Sequence, residues 1–301
     1  LMGAMDVALS PDGRYAYVAA RSDNAVSVFS RNLQTGRLTF VQNIVDSVNL
    51  NYTEALTVSP DGAYVYVAGL YGDALLVFSR DALTGQLALF QTLKDSDPGI
   101  DGLNNPTSVA VSRDSKDVYV TADLDNSLAV FERNPTTGQL ALVQFLKDGV
   151  SGVDGLGYAY FVTFSSDESQ VYVAGYSGSE IGIFNRNATT GLLTYAGVIK
   201  NSQTGVSGLA YPKRVTLSPD GRDVYVTSTD NDAVTLLSRN FASMVPQAHV
   251  VHLGTDESRE HVNFGDRDIP PQVVSIVRDD ANPTSAASVD FLVTFTESVS
   301  G

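Results

Sequence analysis

The sequence repeats one short motif five times. In each copy a Ser precedes an Asp by two residues. The copies are Leu9–Gly13, Val58–Gly62, Val111–Ser115, Phe164–Glu168 and Leu217–Gly221. Their aspartates are 49, 53, 53 and 53 residues apart. A fixed period of this length indicates a solenoid, a propeller or another array of repeated units. The period constrains the fold more strongly than any other feature of the chain.

Each repeat has the pattern of four short strands. In the second copy the predicted strands are Leu56–Ser59, Tyr64–Ala68, Leu75–Phe78 and Gln86–Leu93. A Pro-Asp-Gly turn separates the first two strands, and a hairpin turn ending at Gly85 separates the last two. Four strands per unit without a helix signal predict an all-β fold, a β-propeller of four-stranded blades with a C-terminal β tail.

The repeats set the predicted domain organisation. The propeller covers residues 1–264, with repeats at about 4–52, 53–105, 106–158, 159–211 and 212–264. Two arrangements stay open at this point, a five-bladed ring and a part of a seven-bladed ring. Residues 265–271, which include Pro270-Pro271, are predicted to be a linker.

The composition excludes several classes of protein. A hydrophobic content of 43% excludes a disordered chain, and no apolar run approaches the ~18 residues that a membrane span needs. The net charge of −15 argues against nucleic acid as a partner, because phosphate binding needs clustered Lys and Arg. The sequence has no cysteine, which is compatible with any redox compartment for a chain of this length.

Several motifs resemble a known family. The second strands Tyr64–Ala68, Asp117–Thr121, Gln170–Ala174 and Asp223–Thr227, the segment Asn24–Arg31 and the Thr-Gly turns at Thr35, Thr84, Thr137 and Thr190 are similar to the YVTN-type repeat of lactonase-like propellers. The resemblance covers residues 4–240. It implies a superfamily whose members usually have seven blades. Some members hydrolyse sugar lactones or lactonise muconates, and many are surface proteins without known activity.

The C-terminal part departs from the repeat. The fifth copy stops at Asn240, and residues 247–253 supply its outer strand in one reading. In the other reading, residues 247–267 resemble the last strands of a prealbumin-like module. Residues 272–301 resemble the start of a bacterial Ig-like domain, too short for a complete sandwich. This organisation implies a secreted or cell-surface bacterial protein with neighbouring domains in a longer chain.

Repeated charges are predicted to be architectural. Five aspartates and five arginines recur at turns on one end of the blades, and we expect ion pairs within a blade or turn caps from them. They are Asp12, Asp61, Asp114, Asp167 and Asp220, with Arg31, Arg80, Arg133, Arg186 and Arg239.

Departures from the repeat are predicted to mark the functional site. Around the other mouth of the channel, one ring of equivalent positions holds Met5, Glu54, Thr107, Tyr160 and Lys213, and the next holds Asp6, Ala55, Ser108, Phe161 and Arg214. The predicted ligand-binding residues are Tyr52, Glu54, Tyr71, Tyr158, Tyr160, Tyr176, Tyr211, Lys213 and Arg214. Tyrosines suit a glycan or a protein partner, since they offer an apolar face with a polar tip.

Catalysis has weaker support in the sequence. The resemblance implies histidine, acid and arginine groups in the channel mouth, but His249, His252 and His261 all lie outside the propeller strands of the repeats. Glu54 and Arg214 are the remaining catalytic candidates. The sequence therefore favours a non-enzymatic binding module. The alternative is a lactonase-like hydrolase of the 6-phosphogluconolactonase or carboxymuconate cyclase type, acting on a small cyclic ester.

One loop has alternating carboxylates. Asp95, Asp97 and Asp101 offer oxygen ligands of the kind that Ca²⁺ prefers. The sibling loops do not keep the pattern, and the spacing is not a full calcium loop. We therefore expect an acidic turn and no resident cofactor, with calcium as the alternative.

Overall fold

The computed structural model describes residues 1–230, 233–239, 248–252, 273–278 and 291–295, the last three ranges as strands. Its main elements are five antiparallel four-stranded sheets, each with its strands in sequence order. This confirms the predicted all-β fold of repeated four-stranded blades. None of the described residues forms a helix that is long and apolar enough to cross a bilayer.

The strands are numbered in chain order. The first sheet contains β1 (Ala4–Leu9), β2 (Tyr15–Ala20), β3 (Ala25–Arg31) and β4 (Leu38–Val45). The second contains β5 (Thr53–Val58), β6 (Tyr64–Gly69), β7 (Ala74–Arg80) and β8 (Leu87–Lys94). The third contains β9 (Pro106–Val111), β10 (Asp117–Ala122), β11 (Ser127–Arg133) and β12 (Leu140–Lys147). The fourth contains β13 (Ala159–Phe164), β14 (Gln170–Gly175), β15 (Glu180–Arg186) and β16 (Leu193–Lys200). The fifth contains β17 (Pro212–Leu217), β18 (Asp223–Ser228), β19 (Ala233–Ser238) and β20 (Ala248–His252).

The C-terminal strands resolve one alternative. β20 pairs with β19, so it is the fourth strand of the fifth sheet, as in the first of the two readings of residues 247–253. β21 (Val273–Arg278) and β22 (Phe291–Phe295) form a separate two-stranded sheet. The Ig-like module stays a prediction, and the predicted linker lies outside the described residues.

The hydrophobic core lies between neighbouring sheets. The innermost strands β1, β5, β9, β13 and β17 each pack against the next. In the first seam, Tyr17 and Val26 of one sheet pack with Val65 and Val67 of the next. Three further clusters repeat this arrangement between later sheets. Each fully buried side chain contributes ~1.5–3 kcal/mol, so a sheet is stable because its neighbour covers it.

A glutamine joins neighbouring sheets at three seams. Gln42 Nε2 donates to the carbonyl of Leu87 at 3.0 Å, and the Leu87 N–H donates to Gln42 Oε1 at 2.8 Å. The same pair of bonds joins Gln91 to Leu140 and Gln144 to Leu193. The side-chain amide thereby satisfies both backbone groups of an otherwise unpaired strand edge.

The prediction of ion pairs within a blade is wrong for most of the recurring charges. Asp12 pairs with Arg80 of the next sheet at 3.6 Å, Asp61 with Arg133 at 2.5 Å, and Asp167 with Arg239 at 3.4 Å. Arg186 instead reaches Asp117 of the preceding sheet at 2.6 Å. The arginines extend sideways across the seam because each sheet is stacked beside the previous one.

The turn-cap prediction is confirmed. In the first repeat the Asp12 carboxylate accepts hydrogen bonds from Ser10 Oγ at 2.5 Å and from the Arg14 N–H at 3.0 Å. Equivalent bonds occur at Asp61, Asp114, Asp167 and Asp220. The first of these bonds is the largest cause that lowers the pKa of Asp12.

Candidate functional site

A β-bulge near the start of each innermost strand inserts one extra residue. The pairing of β5 with β6 skips one residue between Thr53 and Ala55, so Glu54 is the extra residue. The other four sheets show the same shift at the same place, and the skipped residues are Met5, Thr107, Tyr160 and Lys213. Bulges of this kind redirect side chains beside functional sites. The first predicted ring therefore has a structural basis in the backbone.

The two predicted rings line one central cavity. Its volume is about 380 Å³, and its walls include Glu54, Tyr160, Lys213, Asp6 and Arg214. All five innermost strands contribute to it. The structure thus brings together side chains that are far apart in the sequence, as the alignment of the repeats predicts.

The residue before each innermost strand has a left-handed backbone. Tyr52, Tyr158 and Tyr211 have φ values of 61°, 56° and 54°, and Gly3 and Asn105 take the same conformation at the equivalent positions. A side-chain oxygen from the preceding sheet, in the turn after its second strand, holds this backbone. Asn24 Oδ1 accepts a hydrogen bond from the Tyr52 N–H at 2.8 Å, and Asn126 Oδ1 accepts one from the Tyr158 N–H at 2.7 Å. Such conformations cost about 1 kcal/mol or more for non-glycine residues and concentrate at functional sites.

Glu54 is the centre of a charged network. Its carboxylate is buried, and Oε2 accepts hydrogen bonds from Nε of Arg21 at 3.0 Å and from Nη2 of the same side chain. Oε1 accepts a hydrogen bond from the Tyr160 hydroxyl at 3.0 Å. The Arg21 guanidinium also lies over the Tyr52 ring, with its central carbon 4.4 Å from the ring centroid. Both oxygens of this catalytic candidate are therefore occupied.

Lys213 lies between two aromatic faces. Its Nζ is 3.8 Å from the centroid of the Tyr160 ring and 4.2 Å from that of Tyr176. Burial lowers its pKa, while the charges of Glu54 and Asp123 act in the opposite direction. Tyr176 also contacts the rings of Tyr158 and Tyr211, which completes an aromatic cluster at this end of the cavity.

Asp123 is a buried acid that is not among the predicted site residues. It is 4% exposed, and its Oδ1 accepts no hydrogen bond from the described residues. Burial raises the pKa of Asp123 to about 6, the Tyr158 and Asn105 side chains oppose this shift, and the charge of Glu54 adds to it. A buried carboxyl group with a free oxygen and a pKa near neutrality is a candidate general base.

A signal for Arg21 and Asp123 exists in the repeat. The first position of the turn after each second strand holds Arg21, Leu70, Asp123, Tyr176 and Thr229 in the five copies. These residues are as unlike one another as those of the first ring. An alignment of this turn identifies both charged residues, whereas the predicted site residues from these turns are Tyr71 and Tyr176 alone.

Two predicted residues lie at the edge of the site. Arg214 is more than half exposed, its nearest carboxylate is Asp6 at 3.9 Å, and its guanidinium lies over Phe161 at 4.8 Å. Tyr71 is exposed and stacks on Tyr52 with the ring centroids 4.7 Å apart. Their roles in ligand binding stay predictions.

The acidic loop is only partly assembled as predicted. Asp95 and Asp101 do approach each other, but Asp125 completes the group, with ligand oxygens within 4.8 Å of one another. Asp97 is directed elsewhere, because its Oδ2 accepts a hydrogen bond from the Lys94 N–H. In the next blade a similar group contains Asp148, Asp154 and Glu180, and the Lys200 ammonium pairs with Asp154 at 2.8 Å and with Glu180 at 3.2 Å. Calcium binding at this loop stays the untested alternative to the predicted acidic turn.

The two described histidines lie on an outer strand. His249 and His252 belong to β20, where they pair with Leu236 and Ala233. That strand is the fourth of its sheet, three strands away from the innermost β17. His261 lies outside the described residues.

Comparisons with known proteins agree with the fold. The sequence model of the family "Lactonase, 7-bladed beta-propeller" matches residues 2–97 and 84–204. No curated protein matches the sequence. The periplasmic gluconolactonase of Pseudomonas aeruginosa is similar in structure, with a TM-score of 0.69 and 21% identity over 84% of this chain and 71% of that chain.

Two further solved structures show how widely the fold is used. A candidate 6-phosphogluconolactonase of Bacteroides fragilis has a TM-score of 0.65 and 18% identity, over 80% of this chain and 68% of that chain. Hydrazine synthase of Kuenenia stuttgartiensis has a TM-score of 0.59 and 19% identity, over 85% of this chain and 67% of that chain. At these identities the likeness extends to the fold alone, so the site must be interpreted from its own residues.

Proposed function

Since the chain belongs to the seven-bladed β-propeller lactonase family, we propose that it is a lactonase-type hydrolase with its reaction centre at the central cavity. The observation that carries the proposal is the buried Asp123 carboxylate, whose Oδ1 accepts no hydrogen bond from the described residues and which lies within electrostatic range of Glu54 and Lys213 in the cavity wall. The sequence alone favours a non-enzymatic binding module. The family match and this acid support the hydrolase alternative better.

The proposed reaction uses Asp123 as general base. Its free oxygen accepts a proton from a water molecule, the water oxygen attacks the lactone carbonyl carbon, and the ring C–O bond breaks. The proton then passes from Asp123 to the leaving alkoxide, so that the Asp123 carboxylate is regenerated and the product is a hydroxy acid. A pKa of about 6 leaves the group largely ionised at neutral pH and still a competent acid.

Two cations would stabilise the oxyanion formed in that step. Arg21 is held in one orientation by Glu54 and by the Tyr52 ring, which reduces the reorganisation needed during the reaction. Lys213 lies within electrostatic range of Asp123, because the charge of that acid contributes to its pKa. Glu54 is therefore a positioning residue in this scheme, since both of its oxygens are already bonded.

Hydrolysis needs a group that titrates near neutral pH. The resemblance implies a histidine for this role in the channel mouth, but the described histidines, His249 and His252, lie on the outer strand β20. Burial gives Asp123 that property without a histidine. The proposal therefore needs neither His249 nor His252.

The test measures the hydrolysis of five- and six-membered lactones, which is monitored through the acid that is released. We expect Asp123→Asn to reduce kcat/KM by about 100-fold or more, in the range of lost general-base catalysis. Asp97→Asn is the matched control, because that carboxylate lies in an acidic loop and bonds only the Lys94 N–H. Absence of turnover in the unaltered protein, or full activity in Asp123→Asn, would reject the proposal.

A second candidate is glycan binding at the aromatic cluster. Tyr176 contacts three other tyrosine rings, and Tyr211 and Tyr71 are among the exposed aromatic side chains. Stacking on a sugar ring suits such a surface. A glycan array with Tyr160→Ala and Arg214→Ala tests it, and unchanged binding in both variants would remove this site.

We further propose an extracytoplasmic location in a bacterium. Its support is the resemblance of residues 272–301 to an Ig-like module and the fold shared with a periplasmic gluconolactonase. Protease accessibility in intact cells and spheroplasts tests the location, and protection in both would contradict it.

A further inference from the structure

The seam between the fourth and fifth sheets differs from the three seams before it. Each earlier seam has a glutamine that bonds the first residue of the next sheet's fourth strand, namely Gln42, Gln91 and Gln144. The fourth sheet has Gly197 at this position, opposite Ile183. The fifth copy has Pro246 seven residues after its arginine, where the earlier copies have the bonded leucine. Since proline has no N–H, the sequence lacks both the glutamine and the backbone donor that it would meet.

A second polar bridge is also missing at this seam. In the first and third sheets a buried tyrosine donates across the seam to the carbonyl of a turn glycine, in the pairs Tyr17–Gly85 and Tyr119–Gly191. The equivalent Tyr172 donates within its own sheet, to Oε1 of Gln170 at 2.8 Å. The fifth copy has Met244 in place of the turn glycine. Two independent changes therefore remove connections at the same seam.

A cavity of about 740 Å³ lies at this seam. Gly197 is in its wall, and a Cβ atom on that residue would meet no atom of the described residues within 4 Å, its chain neighbours aside. The wall also contains Ala196, the skipped residue of a β-bulge. The equivalent bulges of the earlier sheets have larger side chains, which are Val41, Phe90 and Val143. A cavity left by one large apolar side chain has a volume of ~150 Å³, so this space is several times larger than a local packing defect.

The chemistry of the walls indicates what the cavity can hold. Apolar side chains from both sheets dominate the lining and include Tyr172, Ile183, Ile199, Val224 and Leu237. Arg239 is the charged residue of the described lining, and its guanidinium already binds Gln170 at 2.9 Å and Asp167 at 3.4 Å. A charged ligand would lose its hydration here without gaining an opposite charge, whereas an uncharged apolar one would not. The volume lies in the range of about 300–1,000 Å³ that is typical of small-molecule sites.

We propose that this cavity is a binding site for an uncharged, mainly apolar small molecule. Asn185 and Ser238 in the wall offer hydrogen bonds to a polar group at one point of such a ligand. The site is distinct from the central cavity, whose walls include the charged Glu54 and Lys213, and the described linings of the two cavities share no residue. The proposal does not rest on the proposed function.

The test uses Nile red, an uncharged dye whose fluorescence rises in an apolar environment. We expect saturable binding of one dye molecule per chain. Ala196→Phe should weaken this binding by about tenfold or more, because the added ring occupies the cavity. The second sheet has Phe90 at the same bulge position, so this backbone accepts the ring. Val143→Phe is the matched control, since it adds a ring at the same position of the third sheet and should leave binding unchanged.

Hydrogen exchange of the unaltered chain locates the bound dye without any substitution. We expect the dye to slow amide exchange in residues 196–206 and to leave residues 143–153, their equivalents in the third repeat, unchanged. Protection of β5 and β13 at the central cavity instead would overturn the proposal. Equal binding by Ala196→Phe and the unaltered protein would also overturn it, as would a folded unaltered chain that does not bind the dye.

Discussion

The Tyr160 hydroxyl donates a hydrogen bond of 3.0 Å to Oε1 of Glu54, across 106 residues of sequence and two sheet boundaries. The pKa of Tyr160 is raised to about 12, first by burial and then by the charge of Glu54. The phenol therefore stays a donor throughout the useful pH range. This bond links the second and fourth sheets through the cavity, where their backbones do not meet.

Removing that donor should weaken the fold measurably. We expect Tyr160→Phe to lower the free energy of unfolding by about 1–2 kcal/mol, since a hydrogen bond to a buried charge is lost. Urea unfolding measures the change. Tyr71→Phe is the control because that ring is exposed, and an equal loss in both variants would contradict the assigned role of the bond.

The Arg21–Glu54 pair should behave as a coupled unit. Arg21→Gln leaves a buried carboxylate without its charge partner, and we expect a loss of about 3 kcal/mol. The double variant Arg21→Gln/Glu54→Gln should recover most of this loss, because no uncompensated charge remains. A double-mutant cycle in urea measures the coupling, and additive losses would show that the two side chains act independently.

The contribution of Asp123 to the free energy of unfolding should decrease as the pH rises, which is opposite to the usual behaviour of an acid. Its folded pKa of about 6 lies above the ordinary value of 3.8, so the folded state binds this proton more tightly than the unfolded state. Its contribution is favourable at low pH and is lost as the pH rises from about 4 through 6. We expect Asp123→Asn to be more stable than the unaltered protein by about 2 kcal/mol at pH 8, after allowance for solvent screening.

That difference should disappear below about pH 3, where the carboxyl group is protonated in both the folded and the unfolded state. Thermal unfolding of the two proteins from pH 3 to pH 8 measures it. Asp97→Asn again serves as the control, and a difference that stays constant with pH would contradict the raised pKa of Asp123.

The glutamine bonds should contribute to the seams independently of the cavity. Gln91→Ala removes both side-chain bonds to Leu140, and we expect a loss of about 1–3 kcal/mol with little change in the catalytic constants. Gln139→Ala, on an exposed turn, should lie within about 0.5 kcal/mol of the unaltered protein. A loss at Gln91 no larger than that of the control would show that the seam relies on apolar packing alone.

The strands of each blade follow from local pattern. In the second repeat the predicted strand Tyr64–Ala68 is observed as Tyr64–Gly69, and Gly85 has the expected positive φ of 71°. Hydrophobic alternation and turn residues specify structure over a few positions, so a single repeat is enough to predict the strands from them. The alignment of five copies then predicts which residues share a ring, and the cavity confirms that Glu54, Tyr160 and Lys213 meet.

What the sequence by itself determined is therefore the blade, its number of copies and the non-equivalent ring around one mouth. What only the tertiary structure decided is how those residues act on each other. Arg80 pairs with Asp12 of the neighbouring sheet instead of its own, Arg21 binds both Glu54 and the face of Tyr52, and burial gives Asp123 a pKa near 6. The physical reason is that the sequence pattern specifies local structure along the chain. Desolvation and ion pairing depend instead on which distant groups the stacked sheets bring within a few ångströms of one another.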